Sequence, residues 1–314
     1  MHATSLVELH RRQGFDLIHA HWIVPQGLVA AALVTSRAIA RPLLLTSHGG
    51  DLHSLSGGLF NAIKRWVVKR ADSVNVVSQS MVKPCIELGL ERTQIFVRSM
   101  GVDLRSRFTS QTSFEQRQGI VFVGRLVEKK GVEYLLKAHA LLPERNRPQL
   151  SIAGHGPLAE GLERLAQELG SSRDVSFLGA VPNSELPVLL NRSRLAVVPS
   201  VIAADGDQEG LGLVAVEAMG CGCAVIASDL AALRDVIEDQ KNGLMVPPAD
   251  PVALAAALSQ LLANDQLCSE LASAGNRSVE KFAWDGVGRQ YTEHYRHLML
   301  QYDSLKSVDT YRPK

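Results

Sequence analysis

The stretch "DGDQEGLGLVAVEAMG" (205–220) sets Glu209 in a glycine-rich loop and Glu217 eight residues later, on an apolar run that predicts a helix. A carboxylate only accepts hydrogen bonds, so its natural partners in a ligand are hydroxyls rather than phosphates. Gly210 and Gly212 allow close backbone approach, and the amides of Gly210, Leu211 and Gly212 stand where a helix start favours an anion. Upstream, "FVGRLVEKKG" (122–131) ends a strand at Gly124 and puts Arg125 and Lys130 around the following turn. Arginine forks two phosphate oxygens and lysine adds a compact point charge. The chemistry these types could do together is to hold a sugar nucleotide, with cations and amides on the diphosphate and carboxylates on hydroxyls.

Histidines form a second set. His48 ends a predicted strand in "TSHGGD", followed by Gly49, Gly50 and Asp51, and the carboxyl ends of strands are where open α/β sheets place ligands. His19 and His21 are two apart and share a strand face. They lack a third metal ligand, and read as strand-end packing or as contact with an acceptor. His155 in "AGHGP" reads equally as a turn residue or as the border of a donor pocket. Asp205-Gly206-Asp207 spells a pair that could hold a divalent cation, but Arg125 and Lys130 already offset a diphosphate, so it is read as a polar loop and no metal is expected.

The elements that must carry these residues alternate along the chain. "DLIHAH" (16–21), "PLLLTSH" (42–48), "SVNVVS" (73–78) and "IFVRSM" (95–100) read as buried strands in the first half. "GIVFVG" (119–124), "QLSIAG" (149–154), "DVSFLG" (174–179), "RLAVVPS" (194–200), "CAVIAS" (223–228) and "GLMVPP" (243–248) repeat the pattern in the second. Between them lies helical spacing, as in Leu158, Leu162, Leu165, Ala166 and Leu169, and Pro251 fits a first-turn proline. Strand–helix alternation predicts parallel sheets in an α/β fold of two Rossmann-like domains. A polar, aperiodic break at 104–119 predicts the linker. The expected division is a first domain over 1–110, a second over 111–283, and a C-terminal helix and tail over 284–314 that crosses back to the first. With four strands against six, the first domain reads as lacking its leading strands.

Composition excludes several classes. At 314 residues, 46% apolar and 21% charged, the chain is long enough for two cores and is not disordered. Residues 1–117 hold 14 Lys/Arg against 8 Asp/Glu, and residues 118–314 hold 19 against 24. That asymmetry separates two units but is too mild for nucleic acid, and no basic–aromatic stripe appears. Four cysteines do not make a disulfide framework, so a reducing, cytoplasmic setting is expected, and Cys221 and Cys223 read as small buried residues. No apolar core follows Met1 and no run is long enough to span a bilayer. The basic amphipathic segment "LFNAIKRWVVKRA" (59–71) sets Phe60, Ile63, Trp66 and Val67 against Lys64, Arg65, Lys69 and Arg70. It reads either as a solvated face or as a contact with an anionic membrane.

In combination the motifs resemble the retaining glycosyltransferases of family 4, whose two-Rossmann-domain architecture is called GT-B. The matching pieces are "VGRLVEKKG", "AGHGP", "FLGAVPNSELPVLL", "VVPS", Glu209 with Glu217, "EAMGCGCAVIASD" and "NGLMVPPADP", with "DLIHAHW", "LLTSHGGDL", "ADSVNVVS" and "MGVD" in the first half. They cover nearly the whole chain, and "PSVIAADGDQEG" resembles the version in enzymes that build bacterial exopolysaccharides of the colanic acid or amylovoran type. The resemblance implies a metal-independent transfer of a hexosyl group from a nucleoside-diphosphate sugar to a glycan or lipid-linked acceptor. It assigns Arg125 and Lys130, beside Gly124, to the diphosphate. Glu209 with the amides of Gly210, Leu211 and Gly212 falls to the sugar and distal phosphate, Glu217 to the ribose, and the backbone near Val181 to the base. His48 falls beside the sugar and acceptor, with His21 and Asp51 on the acceptor side. No cofactor beyond the donor is expected, and the place of work is the cytoplasm, with possible contact at the inner membrane. The rivals are a binding-only remnant, motivated by the short first domain, and a sugar-nucleotide epimerase of similar shape.

Overall fold

The structure, a computed structural model, describes residues 3–54 and 57–309. The last five residues of the expected 284–314 tail lie outside the described residues. The chain forms two compact units: Met1–Ser99 with Asp285–Lys314, and Met100–Trp284.

The first unit is a four-stranded parallel sheet in the order β1 (Ile18–His21), β2 (Leu43–Ser47), β3 (Ser73–Val76), β4 (Ile95–Val97). Leu43, Leu44, Leu45, Val74 and Val76 are fully buried, as strands covered on both faces require. The helix Trp284–Asp309 packs on this sheet through polar contacts. Ser73 Oγ lies 2.9 Å from His294 Nε2, Asn75 Nδ2 donates to the Tyr291 hydroxyl at 2.7 Å, and the Tyr295 hydroxyl lies 2.8 Å from His19 Nδ1.

The basic helix spans Gly58–Val68, and its faces differ from the sequence expectation. Lys64 is buried, because its ammonium donates to the Leu52 carbonyl at 2.9 Å, while Leu59 and Phe60 are exposed. Trp66 is covered by the Arg70 guanidinium, 3.9 Å from the ring centroid.

The second unit is a six-stranded parallel sheet: β5 (Gln118–Val123), β6 (Leu150–Ala153), β7 (Val175–Gly179), β8 (Ser193–Val198), β9 (Ala224–Ser228) and β10 (Leu244–Val246). Their spatial order is β10-β9-β8-β5-β6-β7. This is the doubly wound order, in which β5 and β8 are neighbours although two strands intervene in sequence. The direction of winding reverses between them, so their carboxyl ends open a crevice. Helices pack on the sheet through residues such as Leu135, Leu136, Leu162, Leu258 and Leu261. Asp250 caps the helix Pro251–Ala263 by accepting from the amides of Val252 and Ala253.

The segment expected as a linker, 104–119, is built into this second unit. Arg117 is 2% exposed and donates to the carbonyls of Cys221 (2.6 Å) and Thr112 (2.9 Å) and to the side chains of Ser110 and Asn191. The stretch is polar because it wraps a buried guanidinium, and the compact units divide at Ser99 and Met100 instead. All four cysteines are buried and free. Burial pushes the Cys221 and Cys223 thiols up to about 12.

Candidate functional site

Two loops meet at the crevice between β5 and β8. One runs from Gly124 through the 3-10 turn Glu128–Lys130, and the other from Pro199 to Gly212. Gly131 brings them together: it has φ +61°, and a Cβ there would sit 1.9 Å from the Pro199 carbonyl oxygen. Only glycine accepts both that conformation and that approach. The loops are stitched by Val201 N–H to the Lys129 carbonyl (2.9 Å), Ala204 N–H to Glu128 Oε1 (2.9 Å) and the Lys129–Asp207 ion pair (2.9 Å). Asp205 accepts from the Asp207 amide at 2.8 Å, so the "ADGDQ" carboxylates serve the loop itself.

Glu209 sits inside this junction, 7% exposed. Its Oε1 accepts from Lys130 Nζ at 2.5 Å and from the buried Ser200 hydroxyl at 2.9 Å. Both donors take the same oxygen. No other described residue donates to Oε2, which retains its capacity to accept. Burial alone would push this carboxyl up. The charge and hydrogen bond of Lys130, the Ser200 hydroxyl and the charge of Lys129 outweigh it and hold the group below its ordinary range.

Just beyond, Gly210, Leu211 and Gly212 lead into the helix Leu213–Gly220. Gly212 has φ +83° and no side chain caps the helix, whose first amides have no intrahelical partner. Glu217, on the same helix, is half-buried. Burial raises its carboxyl to about 7, and the charges of Arg107 and Lys130 offset that only in part.

Arg125 is exposed, and Lys130 lies across Gly124, its Cε 3.6 Å from where a Cβ would stand. Arg125 also lines a hollow of about 200 Å³ at the ends of β5, β6 and β7, with Gly124, Gly154, His155, Val181 and Leu186. The structure thus brings Gly124, Lys130 and Glu209 together, with Gly210, Leu211 and Gly212 next along the chain, Glu217 within electrostatic reach of Lys130, and Arg125 and Val181 lining the adjoining hollow. Among the described residues, no group of three or more His, Cys, Asp or Glu side chains could hold a metal ion.

His48 and His21 belong to the first unit, at the carboxyl ends of β2 and β1. His21 Nδ1 and His48 Nε2 lie 2.9 Å apart, and the rings stack at 5.1 Å. Burial lowers both imidazoles below their ordinary value; for His48 the neighbouring His21 adds to the lowering and Asp51 opposes it. Asp51 stands differently from its expected acceptor-side place. It is 2% exposed and accepts from the Ile23 amide (2.6 Å), the Ser47 hydroxyl (2.8 Å) and the His48 amide (3.3 Å). Its carboxylate fixes the turn that carries His48 and does not reach outward. His19 is bonded on both nitrogens, to Thr46 and Tyr295, and is the packing residue of the pair.

Sequence reasoning missed Ser200, Lys129 and Arg107. Ser200 was visible only as the end of "VVPS", and its partner lies nine residues on, across a loop with no periodicity.

The glycosyl transferases group 1 profile matches residues 105–278, and a glycosyl transferase 4-like domain profile matches residues 1–101. A D-inositol 3-phosphate glycosyltransferase of Corynebacterium urealyticum is 35% identical over 67% of this chain and 48% of its own length. The chain spans about half the length of the curated relatives it matches at this level. Sucrose-phosphate synthase from Thermosynechococcus elongatus superposes with a TM-score of 0.81 at 26% identity, covering 95% of this chain and 77% of that one. Anabaena HepE, solved with UDP-glucose, superposes at 0.80 and 21% identity over 94% of this chain and 82% of that one. With both sheets parallel and these neighbours, the fold is GT-B. The chain belongs to the glycosyl transferases group 1 family.

Proposed function

We propose that this chain is a retaining, metal-independent glycosyltransferase. It moves a hexosyl group from a nucleoside-diphosphate sugar to a glycan or lipid-linked acceptor, at the cytoplasmic face of a bacterial inner membrane, in surface polysaccharide synthesis. One observation carries the reading. A buried carboxylate, Glu209, is clamped through one oxygen by Lys130 and Ser200, keeps its other oxygen to accept, and precedes an uncapped helix start in the same loop. That is a device for hydroxyls next to a phosphate. That HepE was solved with UDP-glucose supports a donor of this class.

In this reading the diphosphate lies against the amides of Gly210, Leu211 and Gly212, with Lys130 and Arg125 on its oxygens. Glu209 Oε2 accepts from hydroxyls of the transferred sugar, and Glu217 accepts from the ribose. Cleavage of the bond from the anomeric carbon to the phosphate oxygen moves negative charge onto the diphosphate. The cations and amides, already oriented, stabilise that charge without reorganising. The acceptor hydroxyl bonds to the same face of the anomeric carbon, and its proton passes to the departing phosphate.

Calorimetry with UDP-, GDP- and ADP-sugars, without and then with a divalent cation, tests the donor. One nucleotide should bind without metal, and Arg125→Ala should weaken it. Removing one member of a buried ion pair costs about 3–5 kcal/mol of stability, so Glu209→Gln is paired with a thermal melt. Ser200→Ala should weaken the donor about tenfold, the worth of one hydrogen bond to a charged group. Unchanged donor affinity in all three variants would show that the site is misassigned. The anomeric configuration of the product, read by NMR, tests retention.

A further inference from the structure

Trp22 directly follows β1, beside the imidazole pair, and its backbone is unusual. It has φ +76°, a conformation that a bulky side chain rarely adopts. Both its backbone groups are fastened: its amide donates to the Thr46 carbonyl at 2.8 Å and its carbonyl accepts from the Gly27 amide at 2.9 Å. Gly27 is part of the fastening, since a Cβ there would come within 2.9 Å of the Trp22 oxygen and 3.0 Å of Leu45. The strained turn does not bury the indole. Trp22 remains 40% exposed, with the His48 ring 5.4 Å away at 43° and His48 in turn stacked on His21. Backbone strain held by surrounding bonds gathers at functional sites. A large aromatic ring held out to solvent at the carboxyl edge of a parallel sheet is a surface made for a partner.

The chemistry of the surface narrows the partner. The indole is flat and apolar. The two imidazoles beside it lie within hydrogen-bond distance of each other, and burial lowers both below their ordinary value, which favours the uncharged form. Neutral donors and acceptors around an apolar plate do not suit a phosphate or carboxylate. They suit a pyranose ring, which offers C–H groups on one face and hydroxyls at its rim.

We propose that Trp22, with His21 and His48 at its edge, forms a stacking subsite for a pyranose of the acceptor, so that the acceptor ends in a sugar ring. The inference rests on the glycosyltransferase reading above. Trp22 contacts the acceptor.

The test uses the full chain on an array of immobilised glycans with UDP present, comparing wild type with Trp22→Ala, Trp22→Gly and Trp22→Phe. UDP-glucose affinity is measured by calorimetry on the same samples. Glycine accepts φ +76°, and a thermal melt of each variant separates a loss of binding from a loss of folding. Wild type should bind a subset of pyranosides, and the Ala and Gly variants should lose about tenfold or more, the usual worth of one stacked ring. The Phe variant should retain most of the affinity, and UDP-glucose affinity should be the same in all four. Wild-type binding of UDP-glucose with no array glycan captured, or Trp22→Gly binding glycans as wild type does, overturns the subsite and leaves the donor reading intact. Failure of every UDP-, GDP- and ADP-sugar to bind any sample, with glycans still captured through Trp22, removes the donor reading and keeps the subsite.

Discussion

Glu209 and Glu217 are the same residue type eight positions apart, and their surroundings drive them in opposite directions. Both are pushed up by burial, but Glu209 has the Lys130 ammonium at 2.5 Å and the Ser200 hydroxyl on the same oxygen, and ends below its ordinary range. Glu217 feels Arg107 and Lys130 only through space and rises to about 7. A carboxyl whose folded value lies above its unfolded value of 4.5 binds its proton more tightly when folded. Its contribution to stability is full below about pH 4.5 and is lost as pH climbs through about 7. Glu217→Gln removes that titration. Without donor, its melting temperature should vary less than wild type's between pH 5 and pH 8 and should exceed it at pH 8, by differential scanning calorimetry. A wild-type-minus-variant difference that is the same at both ends of that range would show that Glu217 does not titrate there. The pair of glutamates was legible from spacing and type. Which one would be ionised was not, because the deciding lysine lies 79 residues upstream and reaches Glu209 only through the strand order.

At the scale of elements, the ten strands were legible because each is a short Val/Ile/Leu run that must be covered on both faces, as in Leu43, Leu44 and Leu45. Segments whose polarity has a buried cause were not. Arg117 makes 104–119 polar while sitting 2% exposed, and Lys64 reads as a solvent-facing cation until the Leu52 carbonyl is seen to receive it. Nor was it legible that the turn after β5 and the loop after β8 form one rigid strap, since this depends on two strands distant in sequence lying side by side. Gly131 is the point on which the strap closes. Gly131→Ala places a methyl 1.9 Å from the Pro199 oxygen at a left-handed φ of +61°. The conformation alone costs about 1–2 kcal/mol, and the contact forces the strap apart besides. Urea denaturation should show at least that loss. Donor affinity should fall with it, because Lys130 is the residue before. A Gly131→Ala protein with wild-type stability and donor affinity would mean that the two loops are not mechanically joined.

At the scale of the whole molecule, the two units are built differently from one chain. The second is continuous, Met100–Trp284, and holds the whole Lys130–Glu209 junction. The first includes the final helix, which returns after residue 284 to hydrogen-bond β1 and β3 through Tyr291, His294 and Tyr295 and to set the His294 ring against Phe96 of β4. That helix also buries Val287 and Leu298. Three hydrogen bonds at about 1 kcal/mol each and two apolar side chains at about 1.5–3 kcal/mol each are comparable with the roughly 5–15 kcal/mol that holds a domain together. Without the helix, the apolar residues of the sheet face it covers would be left open to water. A chain ending at Trp284 should therefore lose the first unit and keep the second. Calorimetry of the intact chain should show two transitions and that of the shortened chain one. The surviving transition should still move upward with UDP-glucose, since a ligand stabilises only the unit that binds it. If the shortened chain keeps both transitions, the final helix is not what closes the first unit. If it keeps neither, the second unit depends on the first, and the donor site is not the property of one continuous segment.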